Sequence, residues 1–157
     1  MKKIFVSIAV TLLASAALAC PDLSGTYMCM TDNGDGQGPQ EVEFIVSQKV
    51  VNGVTVYTTT DVDGSFDLIA DGQKRTKVSE DSDSEMIFNI SETATCLQKS
   101  ALQVNIEMVV TDKSGQVLGE GKSDSLVSKT AEGLRYEWTE YDENGNPTKD
   151  IETCRNK

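Results

Sequence analysis

The chain has 157 residues, with 25 acidic side chains against 14 basic ones, a formal net charge of −11 and no histidine. Such a charge repels nucleic-acid phosphates and anionic membrane surfaces. The missing histidine excludes Ser–His and Cys–His nucleophile pairs and most zinc sites.

Residues 1–19 have the three zones of a cleavable secretory signal helix. Lys2 and Lys3 supply the positive start, Ile4 to Leu13 an apolar run, and Ala17-Leu18-Ala19 a small-residue cleavage site. The run is too short for a membrane span, which needs about 20 apolar residues. Cleavage would leave residues 20–157 as one domain, periplasmic or secreted, in an oxidising compartment. Cys20 would then come first, which raises lipidation as the alternative to soluble export. Ala17, not Leu, stands three places before it, and the cysteine set is even. Both facts favour a disulfide over a lipid anchor.

From residue 40 onward the sequence alternates with period two, the signature of half-buried strands. Val42, Phe44 and Val46 share a face, and Asn52-Gly53 follows, the dipeptide suited to a tight hairpin. Val54, Val56 and Thr58 continue the alternation as its second strand. Phe66, Leu68 and Ala70 alternate after a turn at 61–64, residues 73–79 read as a polar edge strand, and 79–84 as a charged turn. Met86, Phe88 and Ile90 share a face, and Glu92 to Ser100 is read as one helical turn. The clearest strand is 102–110, where Leu102, Val104, Ile106, Met108 and Val110 alternate with mostly polar neighbours. Residues 116–129 form a long strand relieved by Gly119 and Gly121, which fit a bulge or bend. Leu134, Tyr136 and Trp138 alternate next, and a turn at 143–147 leads to a last strand ending near Cys154. The fold class is therefore all-β, an antiparallel up-and-down barrel of about eight to ten strands. Closure would remove the exposed sheet edges. A β-sandwich is the alternative.

Cys20, Cys29, Cys96 and Cys154 allow three pairings. Barrel closure would set the end of the last strand beside the start of the first. That points to Cys20–Cys154 with Cys29–Cys96, with Cys29–Cys154 as the alternative. No C-x-x-C pair and no histidine favour thiol chemistry, so the cysteines read as structural staples.

Three turns rich in Asp, Asn and Gly, at 32–36, 61–64 and 142–146, offer oxygen ligands for calcium. None matches the twelve-residue EF-hand loop, and these residue types are also what tight turns need. No metal, cofactor or catalytic residue is assigned, and the chain reads as no enzyme. The inward aromatic and sulfur side chains Tyr27, Phe44, Phe88, Met108, Tyr136 and Trp138 would line a ligand pocket if the barrel is open at one end, or fill the core if it is not.

Leu23-Ser24-Gly25-Thr26-Tyr27 resembles the opening strand of the calycins, the lipocalins and their relatives, which begin with Gly-x-Trp at the closed end of the barrel. The resemblance implies a lipocalin-like barrel in which Gly25 and Tyr27 take those two roles and Arg155, or else Arg135, packs across the ring. The whole stretch Cys20 to Cys29 is similar to the start of small, largely uncharacterised exported proteins of Gram-negative bacteria. Tyr27-Met28-Cys29 also resembles the early motif of periplasmic lysozyme inhibitors, whose cationic partners would suit an acidic chain. Two functions follow as expectations. One is a non-enzymatic barrel holding a small apolar ligand. The other is a protein-binding module, such as a hydrolase inhibitor, meeting a cationic protein through the acidic loops 32–39 or 79–85.

Overall fold

A computed structural model describes residues 20–31, 38–62, 64–81, 85–142 and 144–157. The export signal expected over 1–19 lies outside the described residues. The elements are β1 (Gly25–Thr31), β2 (Gln40–Val51), β3 (Val54–Asp61), β4 (Gly64–Ile69), β5 (Arg75–Asp81), β6 (Met86–Leu97), β7 (Ala101–Asp112), β8 (Val117–Lys129), β9 (Gly133–Tyr141) and β10 (Pro147–Asn156). They form one antiparallel sheet in the order β4-β3-β2-β1-β10-β9-β8-β7-β6-β5, curled into a half-barrel. No helix among the described residues is long and apolar enough to cross a membrane.

Local chemistry explains most of the strand boundaries. Asn52 and Gly53 take φ of 51° and 82°, the paired positive values that a two-residue hairpin turn needs. β7 and β8 stay in register until Val110↔Gly119, after which Thr111 faces Val117 and Leu118 is left over. That irregularity falls beside one of the glycines marked out in the sequence. The expected helical turn at 92–100 is absent. β6 runs on to Leu97, because Glu92, Ala94 and Cys96 keep the alternation of Met86, Phe88 and Ile90 and pair with the long β7 down to Leu97↔Ala101.

The first and last strands do lie side by side, but they do not close a barrel. β1 and β10 occupy the middle of the sheet, and the free edges are β4 and β5. The edges are blunted in other ways. β4 is only six residues long, and β5 carries Arg75, Lys77, Glu80 and Asp81. At one end the gap is spanned by the β4–β5 loop, where the Gly72 amide donates to the Ala94 carbonyl at 2.9 Å.

The favoured pairing of Cys20 with Cys154 and Cys29 with Cys96 is overturned, and the alternative Cys29–Cys154 is the one formed. The bridges are Cys20–Cys96 and Cys29–Cys154, and no described cysteine is free. Register explains the second. Tyr27 pairs with Asn156 and Met28 with Arg155, so the next step brings Cys29 against Cys154, with Cα atoms 4.2 Å apart. Cys20 lies before β1 starts, and there the chain crosses the end of the half-barrel to meet the end of strand β6. Two such bridges fit an oxidising compartment and hence an exported protein.

Candidate functional site

The strand registers place Tyr27, Phe44, Val46, Tyr57, Phe66, Leu68, Leu102, Val104, Val127 and Tyr136 on the concave face. The buried core gathers at one end of that face. Leu23, Tyr27, Tyr57, Leu102, Leu134 and Cys154 are its most deeply buried large side chains.

Residues 20–24 form the floor. The Cys20–Cys96 bridge ties this segment to β6, and the Tyr57 hydroxyl donates to the Pro21 carbonyl at 2.7 Å. Lys129 Nζ donates to the Ser24 carbonyl at 2.8 Å from the opposite side. Burial, with the Asp22 charge adding to it, pushes the Tyr57 hydroxyl up to about 12, so it remains a donor at neutral pH. Tyr27 folds back beneath the floor, its hydroxyl donating to the Leu23 carbonyl at 2.8 Å. This return is why residue 25 is glycine. A Cβ there would sit 2.6 Å from the Tyr27 ring.

Above the floor lies a cavity of about 190 Å³. It is lined by Leu23, Val46, Tyr57, Leu102, Val104 and Val127 of the buried core and its edge, together with Phe44, Tyr136, Phe66, Leu68 and Ile106. Glu92 is the one charged residue of the lining, and it is held by Lys77 on β5 at 3.5 Å. Phe66 points inward on β4 and is still 46% exposed, so the interior is accessible from the gap beside that edge. The space exceeds the roughly 150 Å³ of dry engineered cavities that take up benzene.

The six pocket residues expected from the sequence all fall on the concave face, but they do not act together. Phe44 and Tyr136 line the cavity, their rings meeting edge to face with centroids 6.0 Å apart. Tyr27 is fully buried under the floor. Trp138 lines a second cavity beyond the ring pair. Phe88 and Met108 line neither of these two cavities. Met108 instead covers Gly121, where a Cβ would come within 3.7 Å of its Cε. The sequence reading missed Leu23, Tyr57, Phe66, Leu68, Leu102 and Val104. The signal for Leu102 and Val104 was present, since they alternate in phase with Met108. Leu23 precedes the first strand and had no periodicity to betray it.

Arg155 does not pack across Tyr27. It sits on the other face of the sheet and holds Glu41 at 2.7 Å, while Arg135 holds Glu137 at 2.9 Å. The turn acids serve the backbone. Asp142 accepts from the Asn144 and Asn146 amides at 2.9 and 2.7 Å, which is the ordinary work of aspartate in a turn. The 32–36 turn lies outside the described residues but for its neighbours. Among the described residues, the group Cys29, Glu152 and Cys154 brings ligand atoms within 4.8 Å of one another, but its two sulfurs are spent in a disulfide. Comparison with protein-family models, curated proteins and solved structures finds no match to this chain.

Proposed function

We propose that the protein is exported, periplasmic or secreted, and acts without catalysis by holding a small apolar molecule in its half-barrel. The observation that carries this reading is the 190 Å³ cavity, walled by aliphatic and aromatic side chains and floored by a disulfide-stapled segment. A well-packed interior leaves few voids larger than a water molecule, so an apolar space of this size in a stapled scaffold suits a guest. The accessible Phe66 edge gives that guest a way in. The acidic loops of the protein-binding alternative fall largely outside the described residues, so it rests on sequence alone.

Two measurements test the reading. Native mass spectrometry of protein taken from its source should show a co-purifying small molecule. Titration of isotope-labelled protein with toluene should shift the amides of β2, β7 and β8 saturably. Val104→Phe, which puts a ring into the cavity, should abolish the shifts while the fold survives. Absence of saturable binding by any apolar probe, together with no retained molecule, sinks the proposal.

A further inference from the structure

Phe44 and Tyr136 are shared between the deep cavity and a second one of about 210 Å³ on the same concave face. Past this ring pair the lining changes character. Trp138 adds a third aromatic side chain, and Asp61 and Glu152 bring carboxylates. Glu152 is the register partner of Tyr136 across β9 and β10. Among the described residues it has no ion pair and no hydrogen bond to a side chain. Burial raises its proton affinity, and the neighbouring Asp150 adds to that. The Tyr136 hydroxyl, also without a protein partner among the described residues, is pushed up by burial and then by Glu152, so it stays a neutral donor.

A partly desolvated carboxylate without a counter-charge opposes folding, and a cation placed beside it removes that cost. Both arginines of the neighbouring strands β9 and β10 are engaged elsewhere, Arg155 with Glu41 and Arg135 with Glu137, as are Lys77 with Glu92 and Arg75 with Asp71. Aromatic faces attract organic cations, tryptophan most strongly. A hard divalent ion would instead call for six to eight oxygen ligands, more than the Asp61 and Glu152 carboxylates of this aromatic lining supply.

We infer that the interior site takes amphiphilic organic cations. A protonated primary amine would lie against Glu152 among Phe44, Tyr136 and Trp138, with its apolar tail in the deep cavity. This rests on the apolar-ligand reading and names the chemistry of the other end of the guest. The two cavities share the Phe44–Tyr136 wall, so a short chain passing the ring pair occupies both. The interior thereby selects amines over alcohols of equal length, and alcohols over carboxylates.

Trp138 is the sole tryptophan of the chain and reports on this cavity directly. Its fluorescence is titrated with n-heptylamine, 1-heptanol and heptanoate at neutral pH and low salt, using the whole mature chain. The amine is expected to bind about tenfold tighter than the alcohol, and heptanoate weakest, the gap closing as salt is added. Shortening the amine should weaken it roughly three- to fourfold per CH₂ removed. Glu152→Gln should erase the advantage of the amine over heptanol. Equal binding of amine and alcohol by the unmutated protein overturns the inference while the apolar site stands. An amine preference that survives Glu152→Gln overturns the role of Glu152. Failure of all three probes to bind overturns the apolar-ligand reading as well.

Discussion

The two halves of the sheet meet at a short seam. β1 and β10 share only the pairs Tyr27↔Asn156 and Met28↔Arg155, whereas β10 and β9 pair along the whole run from Pro147 to Arg155. At the seam itself the halves are also held by the Cys29–Cys154 bridge and exposed ion pairs such as Arg155–Glu41, while the Cys20–Cys96 bridge, the Phe44–Tyr136 contact and the shared core join them elsewhere. Exposed ion pairs contribute at most about 1 kcal/mol each. The bridge closes a loop of 125 residues. In the chain-entropy model that restricts the unfolded state by about 5 kcal/mol at 25 °C. The loss is large against the roughly 5–15 kcal/mol that a domain has in total. The perturbation is Cys29→Ala with Cys154→Ala, which removes the bridge without burying a hydroxyl where both cysteines are buried. Guanidinium unfolding followed by Trp138 fluorescence is the assay. With a guanidinium slope of about 4 kcal/mol/M, the midpoint should fall by roughly 1 M. A fall of less than about 0.3 M with an unchanged slope would refute the reasoning, because the seam would then hold without its staple.

Cys20→Ala with Cys96→Ala opens a 76-residue loop, for which the same model gives about 4.5 kcal/mol. Unlike the first pair it should also weaken apolar-probe binding, measured by titration, because Leu23 loses its tether as the floor. Tyr57→Phe leaves the buried Pro21 carbonyl without its donor and should cost on the order of 1 kcal/mol in denaturant unfolding. Gly25→Ala meets the Tyr27 ring at 2.6 Å and should cost about 1–3 kcal/mol by overpacking, seen as a lower melting temperature. Asp71 is held down to about 2 chiefly by its hydrogen bonds from Arg75. A depressed folded-state value stabilises the fold above the ordinary value of 3.8, and that contribution is lost as pH falls through about 2. Urea unfolding between pH 5 and 2 should therefore show a shallower acid loss in Asp71→Asn than in the parent chain.

The period-two alternation was enough to reveal the strands. β2 and β3 with their Asn52-Gly53 turn, β7, β9 and the edge position of β5 were all legible, because side-chain alternation and turn chemistry are local properties. β6 beyond Glu92 was not. Its Thr-rich run 93–96 is ambiguous by itself and becomes a strand by pairing with β7. The same division holds for the site. The concave placement of Tyr27, Phe44, Tyr136 and Trp138 follows from alternation, while their separation into floor, shared wall and second cavity does not.

What the sequence determined by itself is the all-β class, the succession of antiparallel strands, and the inward face of most of them; in β3 it marked Val54, Val56 and Thr58, whereas Tyr57 and Thr59 line the cavity. Tertiary structure alone decided three things. It left the sheet open between β4 and β5, since closure depends on the curl accumulated over ten strands. It matched Cys29 with Cys154, since that follows from a register between chain ends 125 residues apart. It set Glu152 beside Tyr136 in the second cavity, since alternation in the sequence gives a face but not a depth.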